Sequence, residues 1–207
     1  VKDRKVEPNK TIKWKPASTG TGRVGNVLEN MVDWNLSRSR FWGTPLPIWK
    51  TADGEQEKCI GTIHELNNEI RRAAEVLGGD TNTHYLHEGI LDLHKPYVDD
   101  IILVSDDGQP MKRVPDLIDV WFDSGAMPYA QWGLDKEKLK NGDPFPFNPE
   151  KDQVFPADFI AEGVDQTRGW FYTLHALGVL LFDSVAYKTV VSNGLVLDKN
   201  GNKMSKR

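Results

Sequence analysis

The order of segments along this chain predicts an α/β fold: part of a doubly wound, mainly parallel, Rossmann-type sheet with a small α+β insertion. Three observations predict it. Short runs with strand character recur at 117–122, 158–163 and 189–192; a helical stripe separates the last two; and a polar, helix-bearing stretch interrupts the pattern at 51–110.

The elements follow in order. Residues 1–33 are polar and irregular, with Pro8, Pro16 and the run Ser18-Thr19-Gly20-Thr21-Gly22, and read as a connector that enters the domain from elsewhere. Near its end Val27, Met31 and Trp34 recur at helical spacing and predict a short helix over 26–34. Pro45 and Pro47 then impose an extended segment. In the insertion, Thr62-Ile63-His64-Glu65 has the form of a capping box. Leu66, Ile70, Ala73 and Leu77 follow on one helical face, and Gly78-Gly79 stops the helix. Residues 128–149 hold four prolines and read as a turn-rich connection. The strand at 158–163 runs into a helix expected to begin near Asp165, whose stripe is Trp170, Leu174, Leu177 and Leu181. A third strand is expected at 195–197, closed by the Asn-Gly turn of 199–202. The domains expected are therefore a connector at 1–33, one α/β domain from 34–50 and 111–207, and the inserted subdomain at 51–110.

Composition removes several function classes. The chain has 207 residues, 39% hydrophobic and 27% charged, and seven tryptophans, enough to bury a core and far from disordered sequences. No apolar run nears the ~20 residues of a membrane helix, and Val1-Lys2-Asp3-Arg4-Lys5 lacks the apolar stretch of a signal peptide, so a cytoplasmic place is expected. One cysteine, Cys59, excludes an internal disulfide and a multi-thiolate zinc site. A net charge of -4 gives no overall field for nucleic acid, so any RNA contact is local.

Two places carry candidate chemistry. Glu162 lies at the carboxyl end of an expected strand, where open α/β sheets bind ligands, and Asp165 and Gln166 follow in the expected first helical turn, where unpaired N–H groups favour anions. A helix cap at Asp165 with a solvated Glu162 explains the same spacing, and position alone leaves both open. At the far end Lys203 and Lys206 flank Met204-Ser205 after a tight turn. Two ammonium groups on such a loop suit a phosphate whose negative charge grows during nucleotidyl transfer, and a solvated basic tail explains them equally.

Several strings in one order decide between these readings. Lys203-Met204-Ser205-Lys206-Arg207 resembles the second signature of the class I aminoacyl-tRNA synthetases, departing at Arg207 from the usual serine. Asp33-Trp34 through Ser37-Arg38-Ser39-Arg40-Phe41-Trp42-Gly43 to Pro45 and Pro47 resembles the segment that follows the editing insertion in the isoleucyl, valyl and leucyl group. Asp119-Val120-Trp121-Phe122-Asp123-Ser124-Gly125 matches the next string, and Glu162-Gly163-Val164-Asp165-Gln166-Thr167-Arg168-Gly169-Trp170-Phe171 is similar to the isoleucyl branch in particular. The resemblance runs from about Trp34 to Arg207 and is weakest across 51–110.

The resemblance implies the second half of a catalytic domain whose parent activates L-isoleucine with ATP and Mg²⁺ and passes the acyl group to tRNA(Ile). It implies that Glu162 and Gly163 meet the aminoacyl-adenylate near its amino group, where a carboxylate complements an ammonium. It places Asp165 on ribose hydroxyls, Gln166 on the carbonyl or phosphate region, and Trp121 and Trp170 as walls of the side-chain pocket. It further implies that Lys203, Ser205 and Lys206 hold the ATP phosphates, Lys203 and Lys206 as the catalytic charges, with a backbone contact from Gly194. Asn193-Gly194 stands where many relatives have His-Gly, and with Arg207 it leans towards a eukaryotic type. The family's first signature, His-x-Gly-His, appears nowhere in the 207 residues. The chain alone is therefore expected to be inactive, to carry no structural metal, to make no membrane contact and to self-associate through an exposed sheet edge.

Competing readings are weaker. Gly20-Thr21-Gly22-Arg23-Val24-Gly25 fits the dinucleotide fingerprint literally, but no hydrophobic strand is expected directly before it and 41–48 holds no acidic residue for a ribose. His84, His87 and His94 lack the thiolates of a zinc site and read as surface histidines. A noncatalytic interaction module built on the same ancestry would bind ATP without amino-acid-dependent pyrophosphate exchange.

Overall fold

A computed structural model describes residues 8–79, 81–82, 86–87, 90–131 and 155–204. The chain divides into two compact units, Asn35–Val120 and Val1–Trp34 with Trp121–Arg207. In chain order the strands are β1 (Lys13–Lys15), β2 (Ser37–Arg38), β3 (Ile48–Thr51), β4 (Glu57–Cys59), β5 (Leu86–His87), β6 (Ile90–Leu91), β7 (Ile102–Val104), β8 (Pro110–Arg113), β9 (Leu117–Ile118), β10 (Ile160–Gly163) and β11 (Thr189–Asn193). The main helices are α1 (Gly25–Glu29), α2 (Ile63–Leu77), α3 (Val120–Ala130) and α4 (Trp170–Phe182).

The unit holding both chain ends carries the parallel sheet, in the order β1-β11-β10. Helix α4 joins β10 to β11 as a parallel crossover, the α/β arrangement expected. Strand β1 falls in the stretch expected to be a connector. Its single apolar residue, Trp14, is buried, as is Ile12 just before it, while Lys13 and Lys15 face solvent, so the sheet edge rests on a four-residue alternation. Trp14 meets Phe171 and Tyr187 edge-on at 5.6 and 6.1 Å, and its indole donates to Asn9 Oδ1 at 3.1 Å. Around it Leu28, Leu174, Leu177 and Val190 complete the core.

Three expectations in this unit change. The strand expected over 117–122 is a strand only at Leu117–Ile118, and helix α3 takes over at Val120. That helix carries apolar residues on every side, with Asp123 and Ser124 among them, and so shows no helical period. Between β10 and α4 a separate tight helical turn, Val164–Arg168, holds Asp165 and Gln166, so α4 starts only at Trp170. Residues 195–197 form no strand; Leu197 makes one bridge to Lys203 across the turn at Gly201, where Asp198 accepts from the N–H groups of Asn200 and Asn202 at 2.8 Å each. The short helix expected over 26–34 ends at Glu29, and helical winding begins earlier, at Ala17.

The other unit is an antiparallel sheet, β4-β3-β8-β7, covered by α2. The capping signal is realised at Thr62, whose side chain accepts from the Glu65 N–H at 3.0 Å, while the Glu65 carboxylate reaches back to the Gly61 N–H at 2.8 Å. Leu66, Ile70 and Ala73 are buried, whereas Leu77 is partly exposed. Trp49 closes the core, its indole donating to the Ile101 carbonyl at 2.9 Å. This unit is wider than the expected insertion, beginning at Asn35 and ending at Val120. Pairing of β2 with β9, and bonds from Ile118 to Thr44 and from Leu46 to Asp116, stitch both flanks into it.

Candidate active site

Strand β10 sets the site. Its register with β11 places Glu162 beside Ser192 and Gly163 beside Asn193, at the carboxyl ends of both strands. Glu162 is exposed, and its side chain makes no hydrogen bond or ion pair with a described residue. A Cβ at Gly163 would lie 2.5 Å from Oδ1 of Asp165, so the exposed Asp165 carboxylate folds back over this glycine and would have to turn aside for a larger residue.

Gln166 is held at both ends. Its carbonyl oxygen accepts from the Trp170 backbone N–H at 3.0 Å, satisfying one unpaired group of the α4 terminus, and its amide donates to Asp165 Oδ2 at 3.3 Å. The helix cap therefore comes from Gln166, and only the Gln166 amide nitrogen remains to face a ligand.

The two tryptophans arrive from the starts of α3 and α4. Trp121 lies on the first turn of α3, its ring 3.2 Å from where a Gly169 Cβ would sit, and Trp170 is the next residue along. One turn further, a Cβ at Gly125 would meet Leu177 and Thr173 at 3.0 to 3.1 Å. The two helices thus approach each other at two glycines, Gly169 against Trp121 and Gly125 against Thr173 and Leu177.

In the same unit a cleft of about 950 Å³ brings Asp165 and Lys203 together. These belong to two strings 38 positions apart, since 203 less 165 is 38. Its wall also carries Arg23, Asp33, Arg168 and Tyr172, none of which was singled out as a site residue from the sequence. Arg23 was hidden because it lies in the segment read as a connector, and Arg168 because it sits inside a string valued for its neighbours. Partial burial raises the Tyr172 hydroxyl above its ordinary pKa, so it stays a neutral donor. Gly194 follows β11 in open space, with no atom within 4 Å of a would-be Cβ. Ser205, Lys206 and Arg207 lie outside the described residues.

The fingerprint-like run 20–25 gains a strand before it, β1, contrary to expectation. Its first glycine is nevertheless filled from within the protein, since a Cβ on Gly20 would fall 2.2 Å from the Trp14 ring. A glycine covered by indole is closed to a pyrophosphate. His94 Nδ1 sits 2.8 Å from Asp92 Oδ1 and its ring stacks on Trp42 at 6.3 Å; His84 and the His87 side chain lie outside the described residues. Among the described residues no three His, Cys, Asp or Glu side chains converge, and no helix is long and apolar enough to cross a membrane.

Comparison with known proteins decides the family, because the model of class I tRNA synthetases (I, L, M and V) matches residues 1–207. The chain belongs to this family. It is 65% identical over its whole length to an isoleucine–tRNA ligase of Cytophaga hutchinsonii, of which it covers 17%, and 61% identical to one of Bacteroides fragilis, of which it covers 18%. Another, from Porphyromonas gingivalis, is 55% identical, with 18% of its length covered. The chain thus spans less than a fifth of these relatives. All three relatives are bacterial, whereas Asn193-Gly194 and Arg207 lean towards a eukaryotic type, a pattern that some bacteria share.

Proposed function

We propose that this chain is part of an isoleucine–tRNA ligase whose whole protein joins L-isoleucine to ATP, forming an adenylate, and then passes the acyl group to tRNA(Ile) in the cytoplasm. The observation that carries this reading is the convergence of Asp165 and Lys203 on one cleft, with Glu162, which pairs with no described residue, at the adjoining strand end. An exposed carboxylate there suits an ammonium, Asp165 suits ribose hydroxyls, and the Gln166 amide suits an acyl or phosphate oxygen. Trp121 and Trp170 supply apolar walls, against which one methylene is worth only about 1–3 kcal/mol of selectivity. Attack of the isoleucine carboxylate on the α-phosphate needs orientation and cationic stabilisation more than proton transfer, and Lys203, Ser205 and Lys206 serve there with Mg²⁺ carried on the ATP.

The test is isoleucine-dependent exchange of pyrophosphate into ATP. The full-length protein is expected to exchange with isoleucine and, more weakly, with valine, and the 207-residue chain alone to be silent. Exchange supported equally by leucine, methionine and isoleucine in the full-length protein would overturn the substrate assignment. Within the described residues β1 and β10 are the edges of the parallel sheet, so the isolated chain is expected to self-associate.

A further inference from the structure

We infer that Pro128 is a positioning residue: lacking an N–H, it frees the Ser124 carbonyl to hold the Trp170 indole, and so fixes one wall of the amino-acid pocket relative to the other. This rests on the reading of Trp121 and Trp170 as those walls.

Pro128 stands inside α3, where an ordinary residue would donate its N–H to the carbonyl four positions back, at Ser124. Proline has no N–H, and its ring crowds that same carbonyl and turns it aside. A half-buried carbonyl deprived of its helical donor needs another. It finds one on the neighbouring helix: Trp170 Nε1–H donates to the Ser124 carbonyl at 3.1 Å. The acceptor belongs to the turn that presents Trp121, a turn tightened by the Ser124 hydroxyl donating to the Trp121 carbonyl at 3.2 Å. Trp170 is thus tied twice, by its backbone N–H to Gln166 and by its indole to the turn bearing Trp121. The spacing between the two rings follows from a bond that exists because residue 128 donates none.

The experiment uses the full-length protein and isoleucine-dependent pyrophosphate exchange. Pro128→Ala restores a helical donor that competes with Trp170 for Ser124. Its thermal midpoint is expected to stay level or rise, because alanine suits a helix interior better than proline. The isoleucine KM is expected to rise about 3–10-fold, the value of one hydrogen bond, while kcat and the ATP KM stay within about twofold. Trp170→Phe, which keeps a ring and removes the N–H, is expected to do the same, and the double variant no more than Trp170→Phe alone. Multiplying effects in the double variant overturn the inference, as does a Pro128→Ala protein with a lowered thermal midpoint and equal losses for isoleucine and ATP. Should Pro128→Ala leave the isoleucine KM unchanged while Trp170→Ala raises it, the positioning role is wrong and the pocket reading stands. If Trp170→Ala also leaves it unchanged, the pocket reading itself has failed and the inference falls with it.

Discussion

In the unit 35–120, the most deeply placed charge is committed to structure. The Arg113 side chain is fully buried, donates twice to Asp99 and gives its remaining N–H groups to the carbonyls of Leu46 and Asp116 at 3.1 and 3.0 Å. Arg38 is paired with the buried Asp119 at 2.7 Å, and Lys58 with Glu69 at 2.9 Å. In the other unit Arg23, Glu162, Arg168 and Lys203 stand exposed near strand ends and turns, their side chains without a hydrogen bond or ion pair to a described residue. The core there is sealed by aromatic rings instead. Apart from the exposed pair of Lys188 with Asp158 at 2.7 Å, the contrast is a division of labour: charge in the first unit holds a fold together, and these four charges in the second are kept for something that arrives.

The contrast breaks most directly at Arg113. Arg113→Ala would leave the Leu46 and Asp116 carbonyls without their donor and the partly exposed Asp99 with Lys95 alone at 3.7 Å, a loss of about 3 kcal/mol at about 1–3 kcal/mol for each buried group left unsatisfied. Urea denaturation, with hydrogen exchange followed over 48–51 and 110–113, is expected to show that loss concentrated in the antiparallel sheet. A change below about 1 kcal/mol would mean that this charge is not structural and that the two units do not differ as argued.

The converse variant is Glu162→Gln. A solvated side chain at a strand end is expected to alter stability by no more than about 0.5 kcal/mol. In the full-length protein the same change is expected to weaken isoleucine by about 1.5–3 kcal/mol, the range for a hydrogen bond to a charged group, and to appear in the isoleucine KM of pyrophosphate exchange. Unchanged isoleucine binding would remove Glu162 from the site and leave its exposure without a function.

These two residues also show where a sequence is legible. Glu162 could be placed because a short apolar run ended on it, and helix α2 because Thr62, Glu65 and the Leu66, Ile70, Ala73 face all point to one element. Helix α4 was visible from Leu174 and Leu177, although its start was set too early, since nothing in Asp165-Gln166-Thr167-Arg168 distinguishes a separate tight turn from a first helical turn. Strand β1 was missed because its alternation, Ile12 and Trp14 against Lys13 and Lys15, runs for only four residues among prolines and polar residues. Helix α3 was misread because the short apolar run Val120-Trp121-Phe122 looks alike at the end of a strand or the start of a helix, and Pro128 argues against a helix until the Trp170 indole on the Ser124 carbonyl is known. Arg23 entered the site only through packing between segments far apart in sequence.

A smaller effect sharpens the first half of the comparison. Thr62→Ala removes the hydroxyl that receives the Glu65 N–H at the start of α2, and loss of such a cap costs about 1 kcal/mol. Thr62→Asn is expected to restore most of it. Both are expected to act on the unit 35–120 alone, with isoleucine-dependent exchange in the full-length protein unaltered.

The smallest effect concerns the turn between β7 and β8. Asp107 accepts from the Ser105 hydroxyl and, at 2.8 Å, from the Gln109 side-chain amide, while the Gln109 backbone N–H donates to Ser105 at 2.9 Å. These bonds favour the carboxylate, the Ser105 hydroxyl most, and hold its pKa at about 2 against an ordinary 3.8. Because the folded value is the lower one, the contribution is fully present above pH 3.8 and is lost as pH falls through about 2. The side chain is exposed, so the gain is screened by water, and the titration itself is the better readout. Following the Asp107 carboxyl carbon by NMR is expected to give a midpoint near 2 in the native chain and a higher one in Ser105→Ala. A native midpoint near 3.8 would show that the turn does not hold this carboxylate, and that the commitment of charge to structure stops short of the hairpin tip.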